Sequence, residues 1–374
     1  MAAQHGHAIV VSQLLEAGGN PRAHDRAGAT ALHWAAQNIH ETAVQYLVRA
    51  GAELEARDKD RRTALHWAAR HGQERVVQCL LGLGANLEAG DKHQQTALHV
   101  AAQHGHETVV WQLLGANANL EAIDIDHWTP LHMAAQHGHA IVVSQLLEAG
   151  GNPRAHDRAG ATALHWAAQN IHETAVQYLV RAGAELEARD KDRRTALHWA
   201  ARHGQERVVQ CLLGLGANLE AGDKHQQTAL HVAAQHGHET VVWQLLGAGA
   251  NLEATDTEQR TPLYLALRHG HDGVVWHLLA AGGNSGAQDK TGATALHCAV
   301  QHGHENVVWC LLVLGAGLEA CDNHKRTPLH AAVKCSNNST TLIQQLLEAG
   351  ANLEAVDQDH ATPLIMAAQD GNEA

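Results

Sequence analysis

Apolar and polar positions follow one another in a fixed order along this chain, and residues 96–125, TALHVAAQHGHETVVWQLLGANANLEAIDI, show it. Thr96 is a good helix N-cap, with Ala97 at the first helical position. Leu98, Ala101 and Ala102 then fall on one face of a short helix. "HG" breaks that helix. HETVVWQLLG predicts a second one, with Val109, Val110, Leu113 and Leu114 as an apolar stripe at helical spacing. Gly115, after the last Leu, reads as the C-cap. The polar run that follows predicts a turn-rich hairpin loop before the next Thr. Ala on the first helix lets the helices approach closely. One such unit cannot bury its stripe alone, so neighbours must stack.

The unit recurs. Aligned on T-[AP]-L-H, Thr falls at 30, 63, 96, 129, 162, 195, 228, 261, 294 and 327, always 33 residues apart, and then at 362 after a step of 35. An Asp stands five residues before each Thr, from Asp25 to Asp357. A fixed period of this length signals a solenoid. A longer period overlies it: residues 1–116 are identical to 133–248, and seven positions between 117 and 132 differ from their partners at 249–264. Folding does not demand verbatim identity, so a recent duplication of a four-repeat block or a sequence-assembly artefact is the expected cause.

The pattern D-x-x-x-x-T-[AP]-L-H-x-A-A-x-x-G-H-x-x-V-V-x-x-L-L-x-x-G-A resembles the ankyrin repeat over the whole chain. The resemblance implies an all-α solenoid: helix–turn–helix pairs with β-hairpin or loop fingers, wound into a right-handed superhelix. First helices and fingers would line a concave groove. The expected organisation is a single solenoid over 1–374. It comprises a partial repeat at 1–24, ten full repeats over 25–356 and a partial repeat at 357–374. The last full repeat carries a two-residue insertion near 334–340. Neither end carries a polar capping repeat, so the chain is expected to be a fragment, or to start or end within a longer protein.

One departure from the family pattern concerns the finger tips. Gly is usual two residues before the Thr, but only Gly28, Gly160 and Gly292 supply it. Arg61, Gln94, His127, Arg193, Gln226, Gln259, Lys325 and His360 hold the other tips, where a modified or slightly strained turn is expected.

Composition narrows the function. Aromatic residues are 3% of the chain, with no Phe, so the core is built of Leu, Val and Ala. A formal charge of −13 argues against nucleic acid or an anionic membrane as the main partner. No run of about 18 apolar residues exists to span a bilayer. The six cysteines form no CxxC pair, which points to reduced thiols in the cytoplasm or nucleus. The sequons at Asn337 and Asn338 are then expected to go unused.

Little here carries chemistry. Of 33 histidines, nine belong to T-x-L-H (His33, 66, 99, 132, 165, 198, 231, 297 and 330), where a His bonding neighbouring backbone would serve stacking. His99, His104 and His106 cluster in sequence, but convergence on a metal needs a finger base, a groove and a turn to meet. HETVV lacks the second His of HExxH, and no GxSxG, GxxxxGK[ST] or GxGxxG motif occurs. The Glu of each "NLEA" reads as a solvated surface. No enzyme, cofactor or metal is expected.

Binding surfaces remain. The residues after A-A should face the groove: Gln37/Asn38, Arg70/His71, Gln103/His104, Gln136/His137, Arg202/His203 and Arg268/His269. The fingers add Lys59, Asp60, Arg62, Lys92, His93 and Trp128. Trp34, Trp67, Trp166 and Trp199, directly after T-A-L-H, read as core. Trp111, Trp243, Trp276 and Trp309 sit roughly 130° from the centre of the apolar stripe of their helices, and the last three would form a ribbon on the outer face. The expected function is a non-catalytic, monomeric scaffold or adaptor that binds other proteins. The alternative is the regulatory or targeting array of a larger signalling protein of death-domain, channel or ligase-adaptor type.

Overall fold

The computed structural model describes residues 2–3, 5–38, 40–335 and 339–370, in two compact units, Met1–Lys191 and Asp192–Ala374. The first unit holds α1 (Ala8–Glu16) and the pairs α2/α3 (Ala31–Gln37, Glu41–Arg49), α4/α5 (Ala64–Arg70, Glu74–Gly82), α6/α7 (Ala97–His104, Glu107–Gly115), α8/α9 (Pro130–His137, Ala140–Glu148) and α10/α11 (Ala163–Gln169, Glu173–Arg181). The second holds α12/α13 (Ala196–Arg202, Glu206–Gly214), α14/α15 (Ala229–His236, Glu239–Gly247), α16/α17 (Pro262–His269, Asp272–Ala280), α18/α19 (Ala295–Gln301, Glu305–Val313), α20/α21 (Pro328–Val333, Ser339–Glu348) and α22 (Pro363–Asp370). No strand forms among the described residues; two of the three glycine-tipped fingers carry an isolated bridge, His24 to Thr30 and Gln288 to Thr294. The insertion expected near 334–340 lies partly outside the described residues, as do both sequon asparagines.

Within each unit, successive first helices pack on one another, and successive second helices do the same. The core follows the period. Leu98, Ala101 and Ala102 of α6 and Val109, Val110 and Leu113 of α7 are buried, and so are most of their counterparts; in the terminal repeats Val10, Leu14 and Leu364 are exposed. Each buried Leu or Val contributes about 1.5–3 kcal/mol. Leu114 lies at the edge of the stripe and is half-buried. The expected C-cap moves too: Gly115 is the last residue of α7, and the left-handed turn is two residues later, at Asn117 with φ of 66°. The first helix does end as expected, on Gly105 with φ of 70°.

Within each unit, three kinds of polar tie recur between neighbouring repeats. The His of T-x-L-H closes a capping box with its Thr: in α6, His99 Nδ1 accepts the Thr96 backbone N–H at 3.2 Å. That leaves the proton on Nε2, which donates to the Trp128 carbonyl of the next finger at 2.9 Å. The His of the G-H turn reaches the other way, His106 Nε2 donating to the Arg70 carbonyl at 2.9 Å. The "NLEA" glutamates, expected to be merely solvated, make the third tie: Glu88 Oε1 accepts the Asn119 backbone N–H at 2.8 Å, and Glu220 accepts that of Asn251 at 2.7 Å. α16 departs from the pattern, because Tyr264 stands where the His would be and the box is missing.

All eight finger tips without glycine adopt a left-handed backbone, with φ between 59° at Lys325 and 63° at Gln94. The Asp three residues earlier holds the turn. Asp91 Oδ1 accepts the backbone N–H of His93 at 2.7 Å and of Gln95 at 3.0 Å.

Candidate protein-binding site

In each unit the fingers and the C-terminal ends of the first helices form a charged side-chain surface. In the first unit Arg62, Arg70, Gln103 and His104 border a shared hollow with Asp91. Asp60 is tied down inside this surface: Lys92 Nζ lies 2.6 Å from Oδ1, and Arg62 approaches Oδ2 at 3.1 Å. The Lys92 ammonium, and then the Arg62 guanidinium, hold the Asp60 carboxyl below the usual range. Asp60 is therefore a positioning anion for two cations. The second unit repeats the motif, with Asp192 between Lys224 at 2.6 Å and Arg194 at 3.1 Å. Arg194 also lies over the Trp199 ring, 5.5 Å from its centroid. Arg202, His225 and Gln235 share that hollow.

A larger hollow of about 410 Å³ lies between the fingers and α16, α18 and α20, bordered by Tyr264, Arg268, His302, His324, Arg326 and Lys334. Arg326 is neutralised by Asp322 at 2.6 Å. The exposed Arg268 and Lys334 leave the hollow net basic. Desolvation first, and then the Cys298 and Asp289 groups, push the Tyr264 phenol up, so it stays a neutral donor here.

Lys59, Lys92, His93, Arg70, His71, His104, His137, Arg202, His203, Arg268 and His269 are exposed, and Gln103 and Gln136 half-buried. Desolvation first, then Arg70, lower the pKa of His104 to about 4. His99 does not join His104 and His106, being committed to Thr96 and Trp128. His104 and His106 lie 6.1 Å apart, ring to ring.

The tryptophans need one correction. Trp34, Trp67, Trp166 and Trp199 are half-buried rather than core, whereas Val100, Met133, Leu265 and Cys298 at the same place are covered. The indole is too large for the layer and turns toward the finger. There Trp34 and Trp67 donate to Asp25 and Asp58 Oδ2, each at 3.0 Å, and their rings meet edge to face at 5.2 Å. Trp128 is half-buried and packs on Trp166 of the next repeat, centroids 4.5 Å apart. Trp111, Trp243, Trp276 and Trp309 lie apart from this surface, on the second helices, with 66, 65, 51 and 56% of their area in water.

Sequence reasoning missed Lys224, His225, Gln235, His302 and Lys334 as surface residues. The period would have found them, because they occupy the positions of Lys92, His93, Gln103, His104 and Arg70 in later repeats.

A scan against protein families matches "Ankyrin repeats (3 copies)" in overlapping segments at 1–58, 50–124, 98–190, 183–256, 220–285, 242–322, 263–357 and 310–374. The chain belongs to the ankyrin repeat family. Among solved structures, the human ASB11 ankyrin repeat domain matches with a TM-score of 0.55 and 27% identity, over 60% of this chain and 99% of that one. A search of the curated proteins finds no match. Ankyrin repeats are general protein–protein interaction modules. No helix among the described residues is long and apolar enough to cross a membrane.

Proposed function

We propose that this chain is a non-catalytic scaffold or adaptor that holds a partner protein in its ankyrin groove. One observation carries the reading. From repeat to repeat the stacking positions hardly vary, while the groove position two residues past the first-helix Leu–His–x–Ala core switches between neutral Gln and cationic Arg or Lys: Gln37, Arg70, Gln103, Gln136, Gln169, Arg202, Gln235, Arg268, Gln301 and Lys334. Fixed ties build the array, and the variable side chains present a surface that differs along its length. Exposed arginine and half-buried tryptophan are the residue types that anchor interfaces. The working unit is the single solenoid over 1–374, acting as a monomer. The six free cysteines accord with a reducing compartment, the cytoplasm or the nucleus.

The test is affinity capture from cells that make the protein, comparing wild type with an Arg202→Glu/Arg268→Glu/Lys334→Glu variant. All three side chains are exposed, so the helical circular dichroism should be unchanged. Partners held by the groove should be lost from the variant. Retention of every partner by a folded variant would reject the groove as the binding surface.

A further inference from the structure

Trp243, Trp276 and Trp309 occupy equivalent places on three consecutive second helices, α15, α17 and α19, and each is more than half exposed. Each stands four residues after a carboxylate in the first turn: Glu239, Asp272 and Glu305. Residues four apart share a helix face. None of the three helices contains Lys or Arg. Glu239 also reaches across to the next helix. A Cβ at Gly273, in the first turn of α17, would collide with its carboxylate, and Oε2 lies 3.9 Å from His277 Nε2. Negative charge therefore stands beside Trp276 as well as Trp243. The result is a row of three indoles edged by three carboxylates.

This row differs from a bare apolar face. An aliphatic partner would bury the indoles but desolvate the carboxylates unpaired. Nucleic acid or another copy of the same acidic row would be repelled. A Lys or Arg side chain satisfies both features, because its charge sits over the negative face of an indole and its hydrogen bonds go to a carboxylate. Packed helices are spaced by about 8–10 Å. A chain in the extended polyproline II conformation has three residues per turn and advances about 3.1 Å per residue, so every third side chain returns to the same face about one helix spacing further on.

We propose that the outer faces of α15, α17 and α19 bind an extended cationic segment of a partner protein, with Arg or Lys at every third position. This surface is separate from the groove, so the two can be tested apart. The full chain would be titrated into a fluorescein-labelled peptide of Arg spaced by two Ala, read by fluorescence anisotropy. Trp243→Gln/Trp276→Gln/Trp309→Gln installs the residue that Gln45, Gln78 and Gln177 supply at this place in other repeats. It keeps the net charge, and circular dichroism checks its fold.

The triple variant should bind the peptide at least roughly tenfold more weakly. Glu239→Gln/Asp272→Asn/Glu305→Gln should weaken binding to a similar degree. Trp111→Gln, on an isolated indole, should bind as wild type does. Equal affinity in the folded Trp variant would overturn the proposal. So would equal binding of a peptide with Glu in place of Arg, or loss of binding in the groove variant Asp192→Asn alone. Sedimentation showing a dimer that the Trp variant dissociates would assign the row to a second copy and would likewise overturn it.

Discussion

Gln94 shows what a single residue can do to a finger. It is exposed and its φ is 63°, a region where an L side chain crowds its own backbone. Left-handed backbone costs a non-glycine residue about 1–2 kcal/mol, and glycine returns part of that as chain entropy. Gln94→Gly should therefore stabilise the fold by roughly 0.5–1 kcal/mol, read as a higher urea midpoint with an unchanged slope. Gly28→Ala tests the converse. It sits at φ of 79°, and an added Cβ would lie 2.9 Å from the Lys59 backbone nitrogen of the next finger. This change should cost more than about 1 kcal/mol. A neutral or stabilising Gly28→Ala would show that the finger backbone shifts freely, against the turn described here. The departure was visible in the sequence as eight missing glycines. The answer to it, a non-glycine left-handed turn held by a carboxylate, needed coordinates.

At the scale of the element, the short first helices of six to eight residues are too short to stand alone. Their ends matter accordingly. The Thr–His box satisfies N-terminal N–H groups, and the same imidazole bonds the next finger. His231→Ala would remove the acceptor for the Thr228 N–H and the donor to the Arg260 carbonyl, a 3.1 Å bond, while opening a cavity. The expected cost is roughly 2–4 kcal/mol, measured by chemical denaturation. A loss below about 0.5 kcal/mol would mean that the box is ornamental. The Thr cap, the Ala-lined helix and the Val–Val–Leu stripe could all be read from spacing alone. The orientation of Trp34 and Trp67 could not. Burial at that position is set by ring size against a fixed layer depth, and the apolar letter in the sequence does not report it. The outer tryptophans were legible for the opposite reason, since 100° per residue already put them off the stripe.

On the scale of the whole molecule, the repeated ties make acid the condition to which the array responds most. The capping imidazoles of His33, His66, His99, His132, His231 and His297 are all held below the ordinary 6.5, chiefly by burial, with His132 and His231 lowered to about 4. Because the folded pKa is the lower one, the unfolded chain binds more protons between pH 6.5 and 4. Stability is complete above about 6.5 and drains away as pH falls toward 4. Each such ring adds up to about 1.4 kcal/mol per pH unit to the slope. The carboxylates work lower down. Asp256 and Asp322 are held below 3.8 by Arg260 and Arg326 against the burial that would raise them, so their contribution is lost only in stronger acid. The urea midpoint should therefore stay level from pH 8 to 7 and fall steeply between 6.5 and 4.5. In His132→Gln/His231→Gln the starting stability should be lower and that fall shallower. A midpoint that holds steady from pH 7 to 4.5 in the wild type would refute the linkage. It would mean that the imidazoles can charge inside the fold, and hence that the Nδ1 bond to the capping Thr and the Nε2 bond to the next finger are not both made by the neutral ring.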